Sequence, residues 1–185
     1  MEKIGTRRIE TDRLILRRFT VEDAEAVYRN WACDPEVTKF LTWPVHPDAD
    51  ATRKLLEIWT ARYAQGDFFN WAIVYRETGE VIGNISVTKL REEISAAEIG
   101  YCMSRKYWGY GIMPEALRAV IDYLMDEAHM NRVAACHDIR NAKSGRVMAK
   151  AGMKKEGVLR QAGKNNLGIC DEVWYSVIPS DRTPS

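Results

Sequence analysis

AAEIGYCM (Ala96–Met103) runs into SRKYWGYGIMPEALRAVIDYLMDEAHMN (Ser104–Asn131) and then RVAACHDI (Arg132–Ile139). The outer pieces are short, largely apolar runs of strand length. Between them a glycine-rich turn leads into a long helix, with Pro114 near the first helical turn, where its missing N–H costs nothing. Strand, helix and strand in succession demand a parallel pair joined by a right-handed crossover.

The runs on either side pair differently. FNWAIVYR (Phe69–Arg76), ETGE (Glu77–Glu80) and VIGNISVTKL (Val81–Leu90) read as a hairpin around Gly79. Upstream, Arg7–Phe19 reads as one strand on the alternation of Leu14 and Leu16. Thr20 then opens a helix with Glu22 and Asp23 in its first turn, and Ala24, Val27, Tyr28 and Trp31 at helical spacing. LTWPVHP (Leu41–Pro47) is irregular. A second helix is expected from Asp48 to Gln65, its apolar side formed by Leu55, Ile58, Trp59 and Arg62, with Gly66 as the stop. Downstream, Ser144–Gly152 reads as a short helix, and Lys155–Arg160 and Ile169–Ile178 as strands. The expected class is α+β: one domain over residues 1–178, a mixed and mostly antiparallel central sheet with helices on both faces, in the order β-α-α-β-β-β-α-β-α-β-β. The polar tail 179–185 is expected to fray.

Composition narrows the functional classes. The 185 residues carry 27 Lys+Arg against 26 Asp+Glu, with 46% hydrophobic residues. That is enough apolar surface for a packed core, too little basic excess for a direct nucleic-acid binder, and no run reaches the length of a membrane span. Cys33, Cys102, Cys136 and Cys170 are scattered without a CxxC pair. His46, His129 and His137 form no HExxH spacing. These read as reduced cytoplasmic thiols and no metal site. No apolar leader is seen at the N-terminus.

Three places carry chemistry. Gly109 and Gly111 stand just before the long helix, where tight backbone and free helix-start amides make an anion site suited to a pyrophosphate, or else a plain tight connection. Asn141 and Ser144 stand where a strand hands over to a short helix, in positions that ordinary N-caps also occupy. Glu98 lies in mid-strand on the face of Gly100 and Cys102. A carboxylate there is open to a cleft, ion-paired, or raised in pKa.

In this order and spacing the motifs resemble the GNAT superfamily of acyl-CoA-dependent N-acetyltransferases, and within it the branch that acetylates ribosomal-protein N-termini. KYWGYG (Lys106–Gly111) fits the family's phosphate-loop pattern, with Lys106 in the Arg/Gln place. The branch's further marks are matched by Glu115-Ala116, Asn141 with Ser144, KAGM (Lys150–Met153), EGVLR (Glu156–Arg160), Asp171 and the opening ETDRLILRRF (Glu10–Phe19). Two positions depart. Met153 replaces the usual Phe, and Met148 stands where many members carry a proton-donating Tyr.

The resemblance implies acetyl-CoA as co-substrate, no metal, and direct attack by a primary amine. Backbone groups of Tyr101, Cys102 and Met103 would pair with the pantetheine arm, and an N–H near Cys102 or Met103 would polarise the thioester carbonyl. The pyrophosphate would rest on the amides of Lys106, Tyr107, Trp108, Gly109, Tyr110, Gly111 and Ile112, with Asn141 on the other side of the arm. Ser144 would return a proton to the thiolate. Glu98 would be the base, acting through water, since it lies three to five residues short of the thioester. The acceptor would be a protein N-terminus or a small amine, held among the first two helices, LTWPVHP and the last hairpin. Phe40, Trp43, Phe68, Phe69 and Trp71 gather in that half, and no large acidic cluster marks a polycationic acceptor. Monomer and homodimer both stay open. Two rivals are a dinucleotide-binding oxidoreductase ending in Asp138, which lacks the third glycine and a repeated β-α-β set, and a non-catalytic acyl-CoA sensor, for which Met148 leaves room.

Overall fold

A computed structural model describes residues 1–182. The segment expected as one strand is two. β1 (Ile9–Glu10) and β2 (Leu14–Arg17) pair antiparallel, with Ile9 opposite Leu16. Thr11 makes the turn: its hydroxyl accepts the Leu14 N–H at 3.0 Å, and its own N–H donates to the Leu14 carbonyl. The sheet therefore has eight strands where seven were expected.

Three helices follow. α1 (Ala24–Val27) continues through a wider turn, Tyr28–Ala32. α2 (Pro35–Thr38) is capped by the Asp34 carboxylate, and α3 (Ala49–Arg62) by Asp48, which accepts from the Ala51 N–H. The buried side of α3 is Thr52 and Leu56, and Ile58 faces water. The expected side was off by one residue because a polar residue sits on the core face. The Thr52 hydroxyl lies 2.7 Å from His46 Nδ1, so Thr52 enters the core with its hydrogen bond made.

β3 (Asn70–Tyr75) and β4 (Glu80–Arg91) form the hairpin, and β5 (Ala96–Met103) follows. α4 (Ile112–Asp122), prolonged by Tyr123–Glu127, crosses to β6 (Arg132–Asp138). α5 (Ala142–Lys150), β7 (Lys154–Asn165) and β8 (Gly168–Val177) complete the chain. The strand order is β1-β2-β3-β4-β5-β6-β8-β7, with β5 and β6 parallel and the other pairs antiparallel. β7 runs past Arg160, where it was expected to stop. Gln161 turns left-handed (φ 52°) and its N–H is held by Asp171 Oδ1 at 2.8 Å, so the strand bulges and continues.

Each face of the sheet has its own core. Trp71, Ile73, Ile85, Leu117, Val120 and Met148 fill the α4–α5 side. Phe19, Val27, Trp31, Leu56 and Val74 fill the α1–α3 side. Trp71, Phe68 and Phe69 are core, whereas Trp59 and Trp43 are half-buried. The start of the tail is tied down. Pro179–Asp181 form a turn, Asp181 meets Lys154 at 2.6 Å, and Arg182 pairs with Asp122 and Asp126. Residues 183–185 of the expected frayed tail lie outside the described residues.

Candidate active site

The parallel ladder between β5 and β6 is short. Ala96 pairs with Arg132, Ala97 with Val133 and Glu98 with Ala134, and there the pairing ends. β6 stays on β8 and β5 on β4, so the sheet splits beyond Glu98. The Ser104 N–H donates to the Ile82 carbonyl at 2.8 Å. Alternation along the antiparallel ladder then turns the backbone groups of Gly100 and Cys102 toward β4, and those of Tyr101 and Met103 into the split. Of the three residues expected to pair with a pantetheine arm, Tyr101 and Met103 face the gap and Cys102 does not. The Met103 carbonyl is taken by the indole N–H of Trp108 at 2.9 Å. A strand edge inside a sheet, with its polar groups turned to a gap, suits an extended amide-bearing ligand.

The glycine loop lies at the mouth of this split. Gly109 (φ 88°) and Gly111 (φ 75°) are left-handed, and Gly111 is the residue from which α4 starts. Arg13 pins the loop from behind: Nη1 donates to the Tyr110 carbonyl at 2.9 Å and Nη2 to the Gly111 carbonyl at 3.2 Å. Its Nε donates to Glu115 Oε2 at 2.7 Å, while Glu115 Oε1 accepts from the Thr11 hydroxyl at 2.6 Å. Two loop carbonyls are thus turned inward, and the negative charge of Glu115 is neutralised one turn from the helix start. Ile112 is buried, Tyr110 is largely exposed, and Lys143 Nζ lies 5.0 Å from the Trp108 ring. Lys106 leans away to Glu80 at 3.6 Å.

α5 closes the other side. The Tyr101 hydroxyl reaches from β5 to Ser144, 2.8 Å from its Oγ and 3.2 Å from its carbonyl. Burial pushes the Tyr101 hydroxyl well above its usual range, so it stays protonated. Met148 is core, beneath Ser144 by one turn. Asn141 makes no side-chain cap bond, and only its backbone serves the turn: its N–H donates to the Asp138 carbonyl and its carbonyl accepts from the Ser144 N–H. Asp138, the acid the oxidoreductase rival needed on a ribose, is committed to Arg140 and Asn165.

On the α1–α3 face, the tip of the β7–β8 hairpin meets the loop that follows α2. Asn166 donates to the carbonyls of Thr38 and Trp43, and its N–H to that of Leu41, which brings LTWPVHP over the sheet. Glu98 lies at the closed end of the split, a quarter exposed and 3.8 Å from Lys89. Reading the sequence missed Arg13 with Glu115, Tyr101 against Ser144, and Glu172, a second mid-strand carboxylate beside Cys136. The signal that picked out Glu98 was equally present in CDEVW (Cys170–Trp174).

Comparison with known proteins gives this arrangement its place. Residues 13–154 match the acetyltransferase (GNAT) domain model. An uncharacterized N-acetyltransferase of Bacillus subtilis, YoaA, is 33% identical over 92% of this chain and 96% of its own. The [ribosomal protein uS5]-alanine N-acetyltransferase of Escherichia coli is 31% identical over 96% of this chain and 93% of its own. The microcin C7 self-immunity acetyltransferase MccE, solved with acetyl-CoA and AMP, superposes with a TM-score of 0.81 at 22% identity, covering 91% of this chain and 93% of that one. A domain model that matches most of the chain and relatives above 30% identity over nearly its whole length agree, and this chain belongs to the GNAT family of N-acetyltransferases.

Proposed function

We propose that the chain transfers an acetyl group from acetyl-CoA to a primary amine, either a protein N-terminus, ribosomal proteins included, or a small amine, by direct attack with both substrates bound. The observation that carries this is the end of the β5–β6 ladder at Glu98, which frees the gap-facing groups of Tyr101 and the N–H of Met103. These would hold the pantetheine arm, with the Asn141 amide opposite. The amides from Lys106 to Ile112 would take the pyrophosphate, their carbonyls at Tyr110 and Gly111 already held by Arg13. The Met103 N–H is the donor for the carbonyl oxygen. Direct attack is favoured over an acyl-cysteine because burial pushes the thiols of Cys102 and Cys136 up to about 12, so neither is a thiolate near neutral pH. When the Tyr101 hydroxyl, 2.8 Å away, donates to Ser144 Oγ, the Ser144 hydrogen is free to turn toward the departing sulfur, in the role that Met148 cannot fill. The relative of Escherichia coli is named for an alanine of a ribosomal protein, which supports a peptide N-terminus as acceptor.

The test is release of CoA thiol from acetyl-CoA with a panel of N-terminal peptides, polyamines and amino acids. Acceptor-dependent release carries the reading and names the acceptor class. Stabilisation by acetyl-CoA without release from any acceptor is the outcome of a sensor, and would overturn it.

Arg13 gives a sharper expectation. Arg13→Gln loses the fork that holds two loop carbonyls and leaves Glu115 uncompensated beside the phosphates. KM for acetyl-CoA is expected to rise about tenfold, the equivalent of about 1.4 kcal/mol. The acceptor KM and kcat should stay put. A rise in both KM values, or in neither, would contradict the bracing role.

A further inference from the structure

Glu98 is paired beside Ala134, where the split closes. The groups that face the split, at Tyr101 and Met103, lie three and five residues further along β5, a distance of about 10 to 17 Å. The register marks what stands level with them. Four residues beyond Ala134 on β6 is Asp138, and opposite Asp138 on β8 is Glu172. Glu98, Ala134, Asp138 and Glu172 all project from one face of the sheet, since each pair is directly opposite and the period is two. Glu172 is therefore level with the proposed thioester and only one strand spacing, about 4.8 Å, beyond β6, whereas Glu98 is several residues away.

The local chemistry fits a working carboxylate. Trp174 Nε1 donates to Glu172 Oε2 at 3.1 Å and sets its orientation. On β7 the position it lies over is Gly163, where any Cβ would stand 2.4 Å from Oε1, so the space the carboxylate uses exists because that residue has no side chain. Asp138, its cross-strand neighbour, is spent on Arg140 and Asn165. The side chain is half-buried and so remains reachable.

We propose that Glu172, and not Glu98, is the carboxylate that takes the proton from the acceptor amine, an assignment that rests on the acyl-transfer reading above. One ammonium proton passes to Glu172 and on to solvent. The freed nitrogen lone pair forms the N–C bond to the acetyl carbonyl carbon, and the C–S bond breaks with its electron pair on sulfur. A second nitrogen proton, released as the amide forms, is balanced by the proton that sulfur takes through Ser144. Glu98, at the closed end, reaches this chemistry only through water.

The experiment is kcat/KM against pH for the wild type, Glu172→Gln, Glu172→Asp and Glu98→Gln, with acetyl-CoA thermal stabilisation measured alongside. The groups beside Glu172 that titrate or carry charge are Cys136 and Asp138 on β6 and Cys170 on β8, with Arg140 in the turn bound to Asp138 and Glu98 on β5 beyond Cys136. Glu172→Gln is expected to lose about 10²- to 10⁴-fold in kcat near neutral pH, to recover as rising pH frees the amine unaided, and to keep its acetyl-CoA stabilisation. Glu172→Asp should keep part of the activity with a displaced acid limb, and it stands in if the glutamine variant does not fold. Glu98→Gln should lose no more than about tenfold. Glu172 variants with the wild-type profile, or a loss in Glu98→Gln that equals or exceeds theirs, would overturn the assignment. A wild type without turnover would instead overturn the acyl-transfer reading.

Discussion

Gly111→Trp is expected to abolish binding of acetyl-CoA while the fold survives. Gly111 has φ 75°, which costs an L-residue about 1–2 kcal/mol, a strain a domain of this size withstands. A Cβ at this position would meet only Arg13 Nη2 at 3.6 Å, so the side chain has room, and an indole there displaces the guanidinium that holds the Tyr110 and Gly111 carbonyls, which spoils the loop whose amides would receive the phosphates. The two effects separate in a thermal melt. With acetyl-CoA about 100-fold above its Kd the wild type gains about 2.7 kcal/mol, or roughly 5–10 °C for a chain of this length. The variant should start a few degrees lower and show no rise on adding acetyl-CoA. A variant that still gained several degrees would show that the phosphates do not rest on this loop.

What could be read from the sequence was what is local. Gly109, Gly111 and Pro114 announce a strand-to-helix turn because their backbone preferences are intrinsic. Ala96–Met103 was bounded to the residue because its apolar run stops at a polar turn on both sides. What could not be read was what depends on pairing between distant segments. Arg13 and Glu115 are 102 positions apart, and nothing in either neighbourhood says that one holds the other. The division of β1 from β2 hangs on a side chain, Thr11, that substitutes for backbone in a turn. Thr52 is polar and buried because His46 satisfies it, so the apolar count placed the wrong face of α3 inward.

The carboxylates show the same limit within the site. Glu98 was singled out as a charge in mid-strand, a property of eight residues. Whether it or Glu172 is level with the gap depends on the registers of β5 on β6 and of β6 on β8, which join three segments of the chain. Likewise Tyr101 is expected to serve through its backbone, and only the fold brings its hydroxyl, as well, onto the residue expected to supply a proton.

Asp138→Asn is expected to lower both stability and acetyl-CoA affinity, with a pH dependence that identifies the cause. The Asp138 side chain is 1% exposed. Its Oδ1 accepts from the N–H and Nε of Arg140 at 2.8 and 2.9 Å, and its Oδ2 from Arg140 Nη2 at 2.6 Å and Asn165 Nδ2 at 2.7 Å. The Arg140 hydrogen bonds hold the carboxyl far below its usual range, against the opposing pull of burial. Asparagine offers one carbonyl oxygen, and its NH₂ faces donors. Losing the charged bonds should cost about 2–3 kcal/mol near neutral pH. The same turn seats Asn141, whose N–H donates to the Asp138 carbonyl, and through it Ser144, so KM for acetyl-CoA should rise as well. The sign with pH follows from the depressed value. In the unfolded chain an aspartate titrates near about 4, and in the folded protein well below that. The stabilisation is complete above about pH 4 and is lost as pH falls through the folded value. Melts of the wild type and variant should therefore differ most between about pH 5 and 8 and converge as the pH drops below about 4. A difference that held constant down to acid pH would assign the loss to packing, and not to the charge that holds this turn.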